Sequence, residues 1–249
     1  MKIALAGKGG TGKTTLTALL IRYLAWNYPD RSILAVDADA NANLNEALGL
    51  PVEGTISSIL EQTKQSNSVP TGMTRDMFIK YQLNRAMVET ERYDLLVMGN
   101  PLGPGCYCFP NDLLKKYLEK LSDKYHYVVT DNEAGLEHLS RKVLPAVNLM
   151  VITSDLSARG VRTAGRIREI IGNVRIEAGR MGLVITRGRP EDLEKLQGEI
   201  KKTGLELWGV IPHDPLVEEY DLYGKPLLEM PDQAASVIAA ESLFGKLLS

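Results

Sequence analysis

Gly7-Lys8-Gly9-Gly10-Thr11-Gly12-Lys13-Thr14 decides how this chain is read. The octet fits G-x-x-x-x-G-K-[ST] and stands between a β-rich run, Lys2 to Ala6, and helical periodicity from about Lys13 to Tyr28. In that setting glycines let successive backbone amides converge on an anion, and the helix N-terminus adds partial positive charge. Lys13 then reaches the β- and γ-phosphates of a nucleotide, and the Thr14 hydroxyl can ligate Mg²⁺. Gly9, Gly10, Thr11, Gly12 and Thr15 complete the expected cradle. A plain glycine turn is the alternative, and the strand–loop–helix context argues against it.

Outward from the loop, short β-rich runs alternate with helical periodicity to the end of the chain. Strands are expected over Ser32 to Val36, Tyr93 to Met98, His126 to Thr130, Leu149 to Thr153, Gly182 to Thr186 and Glu206 to Ile211. Pro29-Asp30 stops the first helix, and further helices are expected over Asn111 to Lys124, near Arg159 to Ile171, and in two closing segments. Residues 55 to 90 read as helical pieces around a polar stretch, Gln62 to Gly72, where mobility is expected. The alternation predicts an α/β fold, a doubly wound, mostly parallel sheet with helices on both faces. With no repeat, low-complexity tract or linker, residues 1–249 are expected to form a single domain.

Composition narrows the function classes. At 44% hydrophobic the chain is not disordered, and two cysteines exclude a secreted disulfide scaffold. Lys+Arg at 29 against Asp+Glu at 31 argues against a general nucleic-acid binder, which usually shows a strongly basic domain. The most apolar early stretch, Leu16 to Trp26, is interrupted by Arg22, so no membrane span is expected. The start, MKIALAGKGG, enters a glycine loop rather than a cleavage site. A soluble, cytoplasmic protein is the expectation.

Two acidic stops follow strands: Asp37-Ala38-Asp39, and Asp131 after Tyr127-Val128-Val129-Thr130. Ligands of a doubly wound sheet bind at the carboxyl ends of its strands, where such an Asp can reach a metal's hydration shell. Any one of these could be a helix N-cap, but two of them with a phosphate loop favour chemistry. Cys106 and Cys108 stand two apart in Gly103-Pro104-Gly105-Cys106-Tyr107-Cys108, so both sulfurs of an extended backbone can address one point. A disulfide between them would close a small, strained ring. Two thiolates cannot complete a transition-metal site, whereas a two-fold dimer supplies four sulfurs on its axis. A metal loop is therefore expected at 103–110. The histidines His126, His138 and His213 are read as structural or solvent groups.

The early lysine of the loop, Lys8, makes it resemble the deviant phosphate loop K-G-G-x-G-K-[ST] of the family that contains the nitrogenase iron protein, the arsenite-pump ATPase and the septum-siting and partitioning ATPases. The resemblance implies ATP hydrolysis in a nucleotide-sandwiched homodimer, with Lys8 crossing to the partner's phosphates, Asp39 orienting the attacking water, Asp37 supporting Mg²⁺ through water, and Asp131 as the second switch acid. The Cys-x-Cys loop together with Thr130-Asp131-Asn132-Glu133-Ala134-Gly135-Leu136-Glu137-His138-Leu139-Ser140-Arg141 is similar to the nickel-insertion accessory ATPases of carbon monoxide dehydrogenase and their relatives that mature acetyl-CoA synthase. That resemblance implies Ni²⁺ or Zn²⁺ on Cys106 and Cys108 of both subunits, with a nickel enzyme as recipient. Where the family carries a base-reading Asn, this chain has Thr186-Arg187, and Thr lacks the amide's paired donor and acceptor. Pro212, His213 and Asp214 lie in the other loop expected near the base.

Two other readings compete. A [4Fe–4S] electron carrier also takes two cysteines per chain, but its second cysteine lies beside the second switch, and Asp131 to Arg141 contains none. A positioning ATPase uses a basic surface or an amphipathic tail, whereas Asp232 to Ser249 carries only Lys246 as a cation.

Overall fold

In β1 (Lys2–Gly7) Ile3 and Leu5 face one way and Ala4 and Ala6 the other, and all four are buried. Successive side chains of a strand point to opposite faces, so such a run needs cover on both. The other central strands, β2 (Ile33–Ala38), β4 (Asp94–Val97) and β5 (Tyr127–Asn132), are built alike. The computed structural model describes residues 1–64, 69–100, 116–117, 119–121, 123–132, 146–174 and 176–249.

With β3 (Val88–Glu89), β6 (Ala146–Asp155), β7 (Glu177–Gly188) and β8 (Glu206–Pro212), these strands form one eight-stranded sheet in the order β3-β4-β2-β5-β1-β6-β7-β8. Every pairing is parallel except β3 with β4. The phosphate-loop strand β1 lies between β5 and β6. On one face, Ile3, Leu5, Ala35, Val129 and Val151 pack against α1 (Lys13–Asn27) and α8 (Ala235–Leu248). On the other, Ala4, Val36, Val128 and Ile152 meet α3 (Ile56–Lys64), α4 (Arg75–Ala86) and α5 (Ala158–Asn173). The doubly wound, mostly parallel α/β sheet expected from the alternation is the observed fold.

Helix α1 is apolar almost all round, because the sheet covers one side and α8 the other. Its one buried guanidinium, Arg22, donates to the carbonyls of Leu228 (3.2 Å) and Met230 (3.3 Å) and pairs with Asp232 and Glu241. A buried charge persists only when its donors are used, and here they tie the chain's last segment to the phosphate-loop helix.

Differences from expectation have local causes. β3 is two residues long, too short to show a period, so the helical reading of 55 to 90 runs over it. β7 extends beyond its apolar centre because its first residues, including Glu177 and Arg180, are polar yet still paired with β6. α6 (Leu193–Thr203), unassigned from sequence, buries only Ile200 and Thr203. Two further α-helices among the described residues are α2 (Leu44–Ala47) and α7 (Pro215–Tyr223). Of the helix expected over Asn111 to Lys124, residues 116–117 and 119–121 are described and helical. The Cys-x-Cys loop at 103–110, residues 133–141 of the second switch, and 65–68 of the polar stretch lie outside the described residues.

Candidate functional site

The loop leaving β1 turns through two left-handed glycines, Gly10 (φ 74°) and Gly12 (φ 68°), before α1 starts at Lys13. An L side chain is strained at such angles. The Lys8 carbonyl closes the turn, accepting from the Thr11 amide (3.3 Å), the Thr11 hydroxyl (2.7 Å) and Lys13 Nζ (3.4 Å). Thr11 Oγ1 also meets Thr153 Oγ1 of β6 at 2.8 Å. Lys13 is buried at the base of the loop, whereas the Lys8 side chain is exposed and makes no hydrogen bond or ion pair among the described residues.

The strand register brings the two acidic stops together, pairing Asp37 with Asp131 across β2 and β5 and Asp131 with Leu5 across β5 and β1. Thr14 Oγ1 donates to Asp131 Oδ2 at 2.6 Å, while Asp131 Oδ1 is buried with no hydrogen-bond partner among the described residues. An orphaned, buried carboxylate oxygen is costly. Beside a threonine hydroxyl it makes a hard-oxygen donor set that fits hydrated Mg²⁺. Asp37 differs: Oδ1 accepts from the Asp39 amide (3.0 Å) and Oδ2 from the Leu44 amide (2.9 Å), so both oxygens hold the loop 39–44. Within that loop Asp39 Oδ1 accepts from the Asn41 amide (2.8 Å) and side chain (3.0 Å), and Ala42 is left-handed at φ 53°.

Burial is the largest cause pushing the Asp37 carboxyl up to about 7, with the Leu44 and Asp39 amides opposing it and the Asp131 and Asp39 charges adding to it. Asp131 is pushed up to about 6, again first by burial, against the Thr14 hydroxyl and the Lys13 charge. A carboxyl with a raised folded pKa holds its proton more tightly in the fold. Its contribution to stability is therefore fully present below the unfolded value near ~4 and is lost as pH rises through the folded values. Asp214 shifts the opposite way: hydrogen bonds from Ser236 and Leu216 outweigh burial, so its contribution is lost only as pH falls below ~4. The nucleotide-free protein should thus melt a few degrees higher at pH 5.5 than at pH 7.5. Mg²⁺-nucleotide, which favours ionised carboxylates, should flatten that trend. Scanning calorimetry across the window checks it, and a melting temperature that climbs with pH would contradict it.

Two cavities meet over the loop. One, of about 510 Å³, is lined by Gly9, Lys13, Thr14, Asp39, Asn41, Asn43, Glu46, Tyr220 and Lys225 among others. The other, of about 250 Å³ and more apolar, is lined by Leu16, Thr186, Arg187, Pro212, His213, Val217 and Ser236 among others. Gly10, Gly12, Thr15 and Asp221 border both, so a single groove runs from Asp39 to the end of β8. Its polar end suits phosphates and its apolar end a base. Thr186 lies in that end, but its hydroxyl is spent on the carbonyls of Thr11 (2.8 Å) and Ser154 (3.3 Å), leaving no proton for a base. Arg187, left-handed at φ 50°, donates to the Gly10 carbonyl. Asp214 caps α7 by accepting from the Leu216 amide (3.0 Å) and receives both the amide (2.9 Å) and hydroxyl (2.8 Å) of Ser236.

Sequence reasoning misses Asn41, Asn43 and Glu46, for which Asn-x-Asn after Asp39 was the available signal. It also misses Tyr220, Asp221, Lys225 and Ser236, which only the fold brings to the groove. His126 bonds to Ser32 and His213 to Glu218 (2.9 Å), in keeping with structural roles. Among the described residues no group of three or more His, Cys, Asp and Glu could hold a metal ion, and none of their helices is long and apolar enough to cross a membrane. Cys106 and Cys108 lie outside the residues to which that applies.

The chain is 39% identical, over its full length and 99% of the relative, to an ATP-binding protein of Methanocaldococcus jannaschii. It is 30% identical to the carbon monoxide dehydrogenase accessory protein CooC of Rhodospirillum rubrum, covering 96% of this chain and 95% of that one. Among solved structures, the septum site-determining protein MinD of Pyrococcus horikoshii, complexed with Mg-ADP, superposes with a TM-score of 0.74 at 22% identity, over 99% of this chain and 95% of that one. Residues 2–227 match the CobQ/CobB/MinD/ParA nucleotide-binding domain. A phosphate loop, paired acidic stops and full-length relatives thus agree: the chain belongs to the CobQ/CobB/MinD/ParA family and is a P-loop ATPase.

Proposed function

We propose that the chain is a cytoplasmic, nucleotide-dependent homodimeric metallochaperone, a single ATPase domain over 1–249 that carries Ni²⁺, or Zn²⁺, between the Cys106 and Cys108 pairs of two copies. Nickel would be delivered to carbon monoxide dehydrogenase or a related enzyme such as acetyl-CoA synthase. The observation that carries this reading is the near-full-length match to the carbon monoxide dehydrogenase accessory protein, in a chain whose two cysteines form a Cys-x-Cys loop.

In this reading ATP lies along the groove with its base between Thr186, Arg187, Pro212 and His213. Lys13 and the amides of Gly9 to Thr15 hold the phosphates, and Asp39 orients the attacking water. Lys8 of a second copy neutralises charge on the transferring phosphoryl group, as an arginine finger does. Thr14 and Asp131 are the side chains that would hold Mg²⁺, with Asp37 shaping the loop beside it. When bound, Mg²⁺ offsets charge on the phosphate oxygens. ATP in both protomers draws the copies together and sets the spacing of four sulfurs, and loss of the γ-phosphate releases the loops after Asp39 and Asp131 and loosens the metal cargo.

Such coupling requires metal affinity to differ between nucleotide states. Titration with Ni²⁺ and Zn²⁺, with and without a non-hydrolysable ATP analogue and followed by sizing chromatography, should give tight binding of one ion per dimer only with the analogue. Cys106→Ala/Cys108→Ala should lose the ion and keep ATP turnover. Equal affinity and stoichiometry with and without nucleotide would refute the coupling.

A further inference from the structure

We propose that Asn41 is a positioning residue that fixes the carboxylate of Asp39 for water activation; the inference rests on the reading of Asp39 given above. Asp39 sits at the mouth of the polar cavity, immediately beyond the end of β2. Its two oxygens differ. Oδ1 takes two donors from one residue, the Asn41 amide at 2.8 Å and the Asn41 Nδ2 at 3.0 Å, while Oδ2 makes no hydrogen bond among the described residues. Two donors on one oxygen stop rotation of the carboxylate and leave the other oxygen to accept from a water. The backbone bond alone forms an ordinary turn, which any residue at position 41 could supply. The second donor is particular to the asparagine side chain.

The surrounding loop is held as if this orientation matters. Asp37, fully buried, fastens its two ends through the Asp39 and Leu44 amides. Between those ties the chain passes through Ala42 at φ 53°, a conformation a non-glycine residue adopts only when its surroundings impose it. The Ala42 amide returns to the Asp39 carbonyl at 3.2 Å. Asn41 is itself exposed, so it packs no core and its replacement should leave the fold intact. Its amide is therefore not explained by burial, and the one group it serves among the described residues is the Asp39 carboxylate.

The test compares wild type, Asn41→Ala, the isosteric Asn41→Asp, Asp39→Ala and Asn41→Ala/Asp39→Ala. Phosphate release gives kcat, and titration with a non-hydrolysable ATP analogue gives the binding constant. Asn41→Ala should lower kcat about tenfold with the binding constant unchanged. Asn41→Asp keeps the shape but puts an acceptor against a carboxylate, so it should be at least as slow, which a merely space-filling residue would not show. On Asp39→Ala, whose residual release is followed with radiolabelled ATP, adding Asn41→Ala should change nothing further. A weakened binding constant with unchanged kcat, or a further loss in the double variant, overturns the proposal. Wild-type turnover by Asp39→Ala would instead overturn the reading of Asp39 beneath it.

Discussion

Replacing Lys8 by alanine should lower phosphate release about a thousandfold, the scale on which an arginine finger acts. Binding of ATP by each protomer should stay within severalfold of wild type. The loop uses its two lysines differently. Lys13 is buried and turned back towards the Lys8 carbonyl, within the loop of its own chain. The Lys8 backbone is committed to closing the loop, through three donors to its carbonyl, while its side chain projects from the surface without a protein partner among the described residues. Alanine keeps every one of those carbonyl contacts. In the reading proposed above, this cation, without a partner among the described residues and next in sequence to Gly9 of the polar cavity, serves a second copy.

Mixing separates action in trans from action in cis. Lys8→Ala and Asp39→Ala should each be inactive alone. In their heterodimer, the Lys8→Ala protomer keeps its own Asp39 and receives Lys8 from its partner, which restores one site in two. Equal amounts should therefore recover about a quarter of wild-type turnover if subunits exchange freely. No recovery, with exchange verified by sizing, would place Lys8 within its own site.

The parts of this site legible in the sequence are those whose signal is local. The phosphate loop fits within eight consecutive residues, and its strand and helix flank it directly, so Gly7 to Thr14 could be read outright. Asp37 and Asp131 were legible as acids ending apolar runs, and their meeting follows once the sheet order places β5 between β1 and β2. The base end of the groove was only half legible. Thr186 and Arg187 were identified by position, but nothing local reveals that the Thr186 hydroxyl is consumed by Thr11 and Ser154, residues 175 and 32 positions away. Lys225 and Tyr220 reach the phosphate end because α7 folds back over the loop, a long-range event without a periodic trace. The fold shows the same division: strands with apolar centres were found, while the two-residue β3 and the largely polar α6 were not.

Gly7→Ala should destabilise the protein by about 3 kcal/mol and lower its melting temperature by about 6–12 °C. Gly7 pairs with Thr153 in the β1–β6 ladder, and a Cβ added there would lie 2.3 Å from Thr153 Oγ1, 2.8 Å from Thr11 Oγ1 and 2.8 Å from the Thr153 carbonyl. The hydroxyls can be removed, but the carbonyl belongs to the backbone of a central strand. Gly7→Ala should therefore cost less in a Thr153→Ala background than in wild type, without becoming neutral. Nucleotide binding should weaken as well, because the shifted residue is the hinge from which the loop departs. Thermal melts of the four proteins decide the matter, and a Gly7→Ala protein as stable as wild type would show that β1 and β6 can part at no cost.

The match to the family ends at residue 227, yet two ties that shape the groove reach beyond it. Ser236 gives both its protons to Asp214, whose carboxylate sets where α7 begins, and Asp232 and Glu241 hold the guanidinium of Arg22 midway along the phosphate-loop helix. Residues 228–249 are thus a strap around the nucleotide end of the molecule, buckled once to each wall. An investigator who trims or grafts this ATPase at the homology boundary would keep every signature residue and cut the strap.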